Sequence, residues 1–141
     1  MNNICKICGN ETRGFMDRQF SIKYFHCSKC DFIAQDEETL VSEIEEKAIY
    51  NLHNNSYEDQ GYTDMFRKFL NKAVIPYVSE GKKALEFGSG PEPVLSKILA
   101  LEFGYEVHSY DYYYAPDKVY VGNEYDLITS TEVIEHLKEP M

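Results

Sequence analysis

The apolar pattern predicts four helices and three strands. Over residues 39–50, Leu40, Ile44 and Ala48 share a face with Val41 and Ile49, and Glu43 stands four residues before Lys47, a favourable helical pairing. Over residues 62–78, Phe66, Phe69, Leu70, Ala73 and Val74 predict a second helix, whose last turn Pro76 should disturb. The polar stretch 51–61 between them is rich in turn formers. From Lys82 onward strands and helices alternate. Residues 83–87 (KALEF) predict a strand running into Gly88-Ser89-Gly90, and residues 94–103 a helix closed by Gly104. Residues 106–110 and 125–130 predict two further strands, and residues 131–138 a helix stopped by Pro140. Such alternation predicts an α/β fold with a parallel sheet.

The first thirty residues lack that periodicity and carry all the cysteines. Cys5-x-x-Cys8 and Cys27-x-x-Cys30 are separated by eighteen residues. Each CxxC turn sets two thiolates on one knuckle, and two knuckles complete a tetrahedral S₄ shell suited to Zn²⁺. Gly9 lets the backbone turn back over the metal. The alternatives are two disulfides or four free thiols, and a reducing cytosol disfavours the former. A closed shell leaves His26 no coordination position and marks the zinc as structural.

Charge sharpens the division. Residues 1–30 carry five Lys/Arg against Glu11 and Asp17, a net of +3, so the rest of a chain of net charge −10 carries −13. The polyanionic whole argues against wrapping nucleic acid. No apolar run approaches membrane-spanning length and the first ten residues lack a signal peptide's apolar stretch, so no membrane partner and a cytoplasmic location are expected.

The stretch ALEFGSG (84–90) delivers a strand into Gly-x-Gly, where only glycine lets backbone N–H groups come close to a ligand. Glu86 precedes the first glycine by two positions, Asp111 ends the next strand twenty-one residues after Gly90, and residues 125–137 read YDLITSTEVIEHL. Together these motifs make residues 83–140 resemble the class I S-adenosylmethionine-dependent methyltransferases. Residues 1–33 resemble the zinc-binding modules ahead of the methyltransferase domain in some bacterial enzymes, including certain sugar C-methyltransferases. The resemblance implies a partial Rossmann-like sheet with S-adenosylmethionine as cofactor and a small molecule or glycan as methyl acceptor. It places Glu86 near the methionyl end, Gly88, Ser89 and Gly90 beneath the cofactor and Asp111 on the ribose. Tyr112 either stacks on adenine or belongs, with Tyr110, Tyr113 and Tyr114, to the loop and core aromatics. Glu92, between Pro91 and Pro93, stands where many relatives have a third glycine.

Glu132, Glu135 and His136 have the i, i+3, i+4 spacing of one helix face. In some relatives this pattern holds Mg²⁺ beside a substrate hydroxyl, and in others it only packs or caps the helix. His136 is alternatively a general base. Tyr50, His53 and Tyr62 are candidates for a lid over the cofactor or members of a solvated connection.

The chain therefore reads as a zinc ribbon (1–35), a helical linker or lid (36–80) and the N-terminal part of a cofactor-binding domain (81–141). Only the family's first, second and fourth strands are found. Residues 112–124 number thirteen, too few for a further helix and strand, although KVYV (118–121) has strand character. Strand 125–130 should then lie at an edge and pair with a second copy or another polypeptide. The competing functions are a non-catalytic zinc-ribbon binding or assembly module with a degenerate cofactor site, a nicotinamide-dependent oxidoreductase, and an RNA methyltransferase anchored by the basic ribbon.

Overall fold

Three short strands fold the cysteine-bearing stretch into an antiparallel meander in the computed structural model, which describes residues 3–53 and 55–140. β1 (Arg13–Met16) pairs with β2 (Lys23–His26), and β2 with β3 (Ile33–Gln35). Alternation along β2 turns Phe25 inward, where it is 5% exposed, while Tyr24 stacks on Phe15 across the strands at 5.8 Å. Gly14 lies opposite Phe25, and a Cβ there would meet the ring at 3.4 Å. Residues 1–46 with 137–141 form one unit of the chain, and residues 47–136 the other.

Helix α1 (Glu43–Tyr50) begins later than its apolar pattern predicts. Ser42 and Glu45 form a reciprocal capping box: the Ser42 N–H and hydroxyl donate to the Glu45 carboxylate at 2.9 and 2.8 Å, and the Glu45 N–H donates to the Ser42 hydroxyl at 3.4 Å. Residues 37–39 form a separate 3-10 turn capped by Asp36. Helix α2 (Gln60–Phe69) is capped by Asp59 and continues through a π turn, Leu70–Val74, into a 3-10 turn, Ile75–Tyr77. The cause is Pro76, which lacks an N–H and would clash with the preceding turn of a regular helix. The buried stripe is Thr63, Phe66 and Leu70, so Phe69 and Ala73 point outward instead of inward.

In the second unit β4 (Lys83–Phe87) is the centre of a parallel sheet, flanked by β5 (Glu106–Tyr110) and β6 (Leu127–Thr129). Helix α3 (Val94–Phe103), closed by Gly104 at φ +70°, links β4 to β5. Phe66, Leu70, Ala84, Val94, Leu95, Ile98, Leu99 and Tyr105 make the core on the helical face of the sheet. The opposite face carries an aromatic layer: Phe87 lies 4.9 Å from Tyr110 and 5.7 Å from Tyr120, and Tyr110 lies 5.0 Å from Tyr120. Residues 118–121 are consequently turns rather than a strand, with the Val121 N–H on the Lys118 carbonyl at 3.0 Å. Among the described residues β6 has a neighbour on one side only, and Ile128 is 62% exposed.

The helix expected over residues 131–138 does not form. Glu132 adopts φ +55°, and only a 3-10 turn, Ile134–His136, is present. Eight residues cannot sustain a helix without burying an apolar face. Ile134 and Leu137 are exposed and nothing in the turn is buried. No helix among the described residues is long and apolar enough to cross a membrane.

Candidate functional site

The cysteine knuckles are two copies of one backbone turn. The Gly9 N–H donates to the Cys5 carbonyl at 3.0 Å, and the Asp31 N–H to the Cys27 carbonyl at 2.8 Å. The Cys5 N–H donates to the Asn10 carbonyl at 2.8 Å, matched by Cys27 and Phe32 at 2.9 Å. Gly9 has φ +70° and Asp31 φ +58°, so Asp31 is the second knuckle's counterpart of Gly9. An Asp accepts this left-handed conformation more readily than most residues. The shared Cys-x-x-Cys spacing would have revealed Asp31 in the sequence. His26 lies outside the cluster, 3.1 Å from Asp31.

All four Sγ atoms lie within 4.8 Å of one another. Cys5 and Cys30 are 3.6 Å apart and Cys8 and Cys27 are 3.5 Å apart, and all four thiols are free. Four sulfurs around a tetrahedral zinc at the usual Zn–S length would stand about 3.8 Å apart. A disulfide would require about 2 Å. The donor set therefore fits a four-coordinate thiophilic cation such as zinc.

The electrostatics agree. Hydrogen bonds from the Asn10 backbone and side chain bring Cys8 down to about 6, and the Cys8 N–H lowers Cys5. Despite the Phe32 N–H, burial and the neighbouring sulfurs push Cys30 up to about 12. Four thiolates this close ionise together only if a cation neutralises them.

The second constellation surrounds the carboxyl end of β4. The Gly88 and Ser89 N–H groups donate to the Tyr110 carbonyl at 2.7 and 3.1 Å, binding the loop to the end of β5. Asp111 draws the same pieces together. One carboxylate oxygen accepts the Gly90 N–H at 2.8 Å, and the other accepts those of Tyr113 and Tyr114 at 2.9 and 3.1 Å. The two glycines differ in purpose. At Gly88 (φ +87°) a Cβ would collide with the Val133 side chain, so glycine there admits a protein neighbour. At Gly90 (φ +69°) a Cβ would meet nothing within 4 Å, which leaves that approach open.

Glu86 is buried and turned toward the first turn of α3. It accepts the Ser96 N–H at 2.9 Å and a short bond from the Ser96 hydroxyl, which also bonds the Ser109 hydroxyl at 2.7 Å. Ser96 and Ser109 carry no sequence signal, because only the alignment of β4, β5 and α3 brings them to Glu86. Burial outweighs these bonds and pushes Glu86 up to about 7. The folded chain thus holds a proton that the unfolded chain releases above its ordinary 4.5. Stability is greatest below that value, falls as pH rises toward 7, and is flat above. Glu86→Gln should abolish this slope in equilibrium urea unfolding and stabilise the protein at pH 8 by about 3 kcal/mol. An unchanged slope between pH 5 and 7 would show that Glu86 is already ionised.

Glu92 accepts from the Lys97 ammonium at 2.7 Å and the Tyr57 N–H at 3.2 Å, and Lys97 holds its pKa down. Tyr112 is 62% exposed, its ring 5.0 Å from that of Tyr113. Of the lid candidates, Tyr50 meets His53, Tyr113 and His136 at 6.2, 5.9 and 5.9 Å. Tyr62 instead packs on Phe66 at 4.8 Å, against the core. Asn54, in the same connection, lies outside the described residues.

Glu132, Glu135 and His136 do not share a helix face, because that helix is absent. Among the described residues only the four cysteines gather three or more metal-ligand atoms. The Mg²⁺ arrangement, one of the alternatives for these residues, is therefore not assembled among the described residues.

No known protein family matches this chain, no curated protein is similar to it, and no solved structure resembles it.

Proposed function

We propose that the chain joins a structural Cys₄ zinc ribbon to the cofactor-binding part of a Rossmann-like, S-adenosylmethionine-dependent methyltransferase acting on an O or C nucleophile of a small molecule or glycan. The observation that carries this reading is the open approach at Gly90. It stands at the carboxyl end of a central parallel strand whose neighbours lie on opposite sides. Open α/β sheets bind ligands at such points.

The residues fit a nucleoside. Gly90 permits close approach, and the Asp111 carboxylate retains one acceptor position beyond the three N–H groups it holds. Bound S-adenosylmethionine supplies an electrophilic methyl on a sulfonium. The protein's own share is positioning: Asp111 fixes the loop, Glu86 anchors α3 beneath it, and His136, exposed beside Tyr50, is the candidate proton acceptor. Titration calorimetry with S-adenosylmethionine, S-adenosylhomocysteine and NAD tests the reading. Binding of the first two but not NAD is expected, and binding of none overturns it.

The second reading is a non-catalytic zinc-ribbon assembly module. The contact of Val133 with Gly88 favours it, since a protein side chain already uses that glycine. In either case β6, whose outer edge has no strand partner among the described residues, consists of good sheet formers, so pairing with a second chain is expected. Light scattering at rising concentration should show self-association. A monomer with slowly exchanging amides throughout residues 125–130 would refute it.

A further inference from the structure

The ribbon carries a cavity on the flank of its second metal knuckle. Its volume is about 560 Å³, and Glu11, Thr12, Arg13, His26 and Ser28 line it. Small-molecule sites commonly enclose about 300–1,000 Å³. Two stretches of chain build the cavity, residues 11–13 at the start of β1 and residues 26–28 at the end of β2. The strand register sets Arg13 directly opposite His26. Side chains of opposed residues stand on one face of a sheet, so the guanidinium and the imidazole face the same side.

The lining divides into groups that the fold engages and groups that it leaves open. Thr12 is engaged: its N–H and its hydroxyl both donate to the Asn3 carbonyl, at 2.9 and 2.7 Å. The His26 Nε2 lies 3.1 Å from the Asp31 carboxylate, which sets the proton on that nitrogen and leaves Nδ1 as an acceptor. Among the described residues the Arg13 guanidinium and the Ser28 hydroxyl have no hydrogen-bond or ion-pair partner. Arg13 offers a planar fork of N–H donors that fits two oxygens of a phosphate at once, and the Ser28 hydroxyl donates to a third. Glu11 tempers this in the same wall. Its carboxylate repels a bare dianion but accepts from hydroxyl groups, as the His26 Nδ1 does. A phosphate with hydroxyls attached satisfies both halves of the lining, and phosphate alone satisfies one.

We propose that this cavity binds a small hydroxylated phosphate monoester, held at the phosphate by Arg13 and Ser28 and at its hydroxyls by Glu11 and His26. The site lies wholly within the ribbon, so it stands or falls apart from the methyltransferase reading.

The test is an amide NMR titration of the zinc-loaded full chain with ribose 5-phosphate, inorganic phosphate and ribose. Ribose 5-phosphate should shift the amides of residues 11–13 and 26–28 saturably, and ribose should not. Inorganic phosphate, lacking the hydroxyl contacts, should bind about tenfold more weakly. Arg13→Ala should weaken ribose 5-phosphate at least about tenfold and Ser28→Ala about threefold, in variants that keep a full equivalent of zinc. Glu11→Gln separates the two halves, since it should strengthen inorganic phosphate and weaken ribose 5-phosphate. Three results would overturn the proposal: no saturable shift with either phosphate compound, unchanged affinity in both Arg13→Ala and Ser28→Ala, or Glu11→Gln moving both ligands in one direction. A last arm uses a single-stranded oligoribonucleotide without a terminal phosphate. If it occupied the same amides as tightly as ribose 5-phosphate, the ligand would be a nucleic-acid phosphodiester and the monoester assignment would be wrong.

Discussion

Removing zinc should unfold the ribbon and leave the parallel sheet standing. Among the described residues of the first unit the buried side chains are Cys5, Thr12, Phe25 and Cys27, too few to supply a hydrophobic core. Two of them are the proposed ligands. Structural zinc in small modules contributes on the order of 10 kcal/mol to folding, so the ribbon has nothing comparable to replace it. The second unit instead buries Leu70, Val94, Leu95, Ile98 and Leu99 almost completely. Protein purified under reducing conditions should hold one zinc per chain. Chelation should collapse the amide resonances of residues 5–35 into the unfolded region and preserve those of residues 83–110. Cys27→Ser should do the same without chelator, because the oxygen ligand breaks the S₄ set at its most buried member. Dispersed ribbon resonances in metal-free protein would show that the thiols alone hold the fold.

Asp111→Ala should be the most damaging single change in the second unit outside the core. It leaves three N–H groups, those of Gly90, Tyr113 and Tyr114, without their charged acceptor. Hydrogen bonds to charged groups contribute about 1.5–3 kcal/mol each, and partial access of water reduces the sum to roughly 3–5 kcal/mol. Asp111→Asn keeps one carbonyl acceptor and should recover about half of the loss. Glu135→Ala, at an exposed position, should stay within about 0.5 kcal/mol of wild type. Urea unfolding monitored on the second unit measures all three. The order should hold for S-adenosylhomocysteine affinity as well, with Asp111→Ala weakening binding more than Glu135→Ala. An Asp111→Ala protein that unfolds like the wild type would deny the carboxylate its organising role.

The burial of Glu86 bears on both arms of that comparison. Glu86 and Asp111 stand at the ends of adjacent strands, and the Asp111 charge contributes, after burial, to raising Glu86. Removing Asp111 should therefore lower the Glu86 titration as well as loosen the loop. The pH slope expected from Glu86 would then shift downward in Asp111→Ala and vanish in Glu86→Gln.

What the sequence determined alone is whatever depends on local chemistry at short spacing. The bounds of β4, α3 and β5 follow from an apolar run, a glycine pair and a closing glycine, each acting within a few residues. The Cys₄ set was legible because a metal site demands particular atoms at particular spacings, and Pro76 disturbed its helix as its missing N–H requires. The first sheet was not legible, since strands of three or four residues are too short for alternation to register. Tertiary structure decided the rest. Residues 131–138 have the letters of an amphipathic helix, but Ile134 and Leu137 stay exposed and only Val133 is partly covered, so a single turn remains. Asp111 became an organiser of three backbone N–H groups, and Gly88 a seat for Val133, only once β4, β5 and β6 stood side by side. Spacing along a chain records which groups are available. Which of them meet is set by contacts between residues far apart in sequence, whose closure no local pattern encodes.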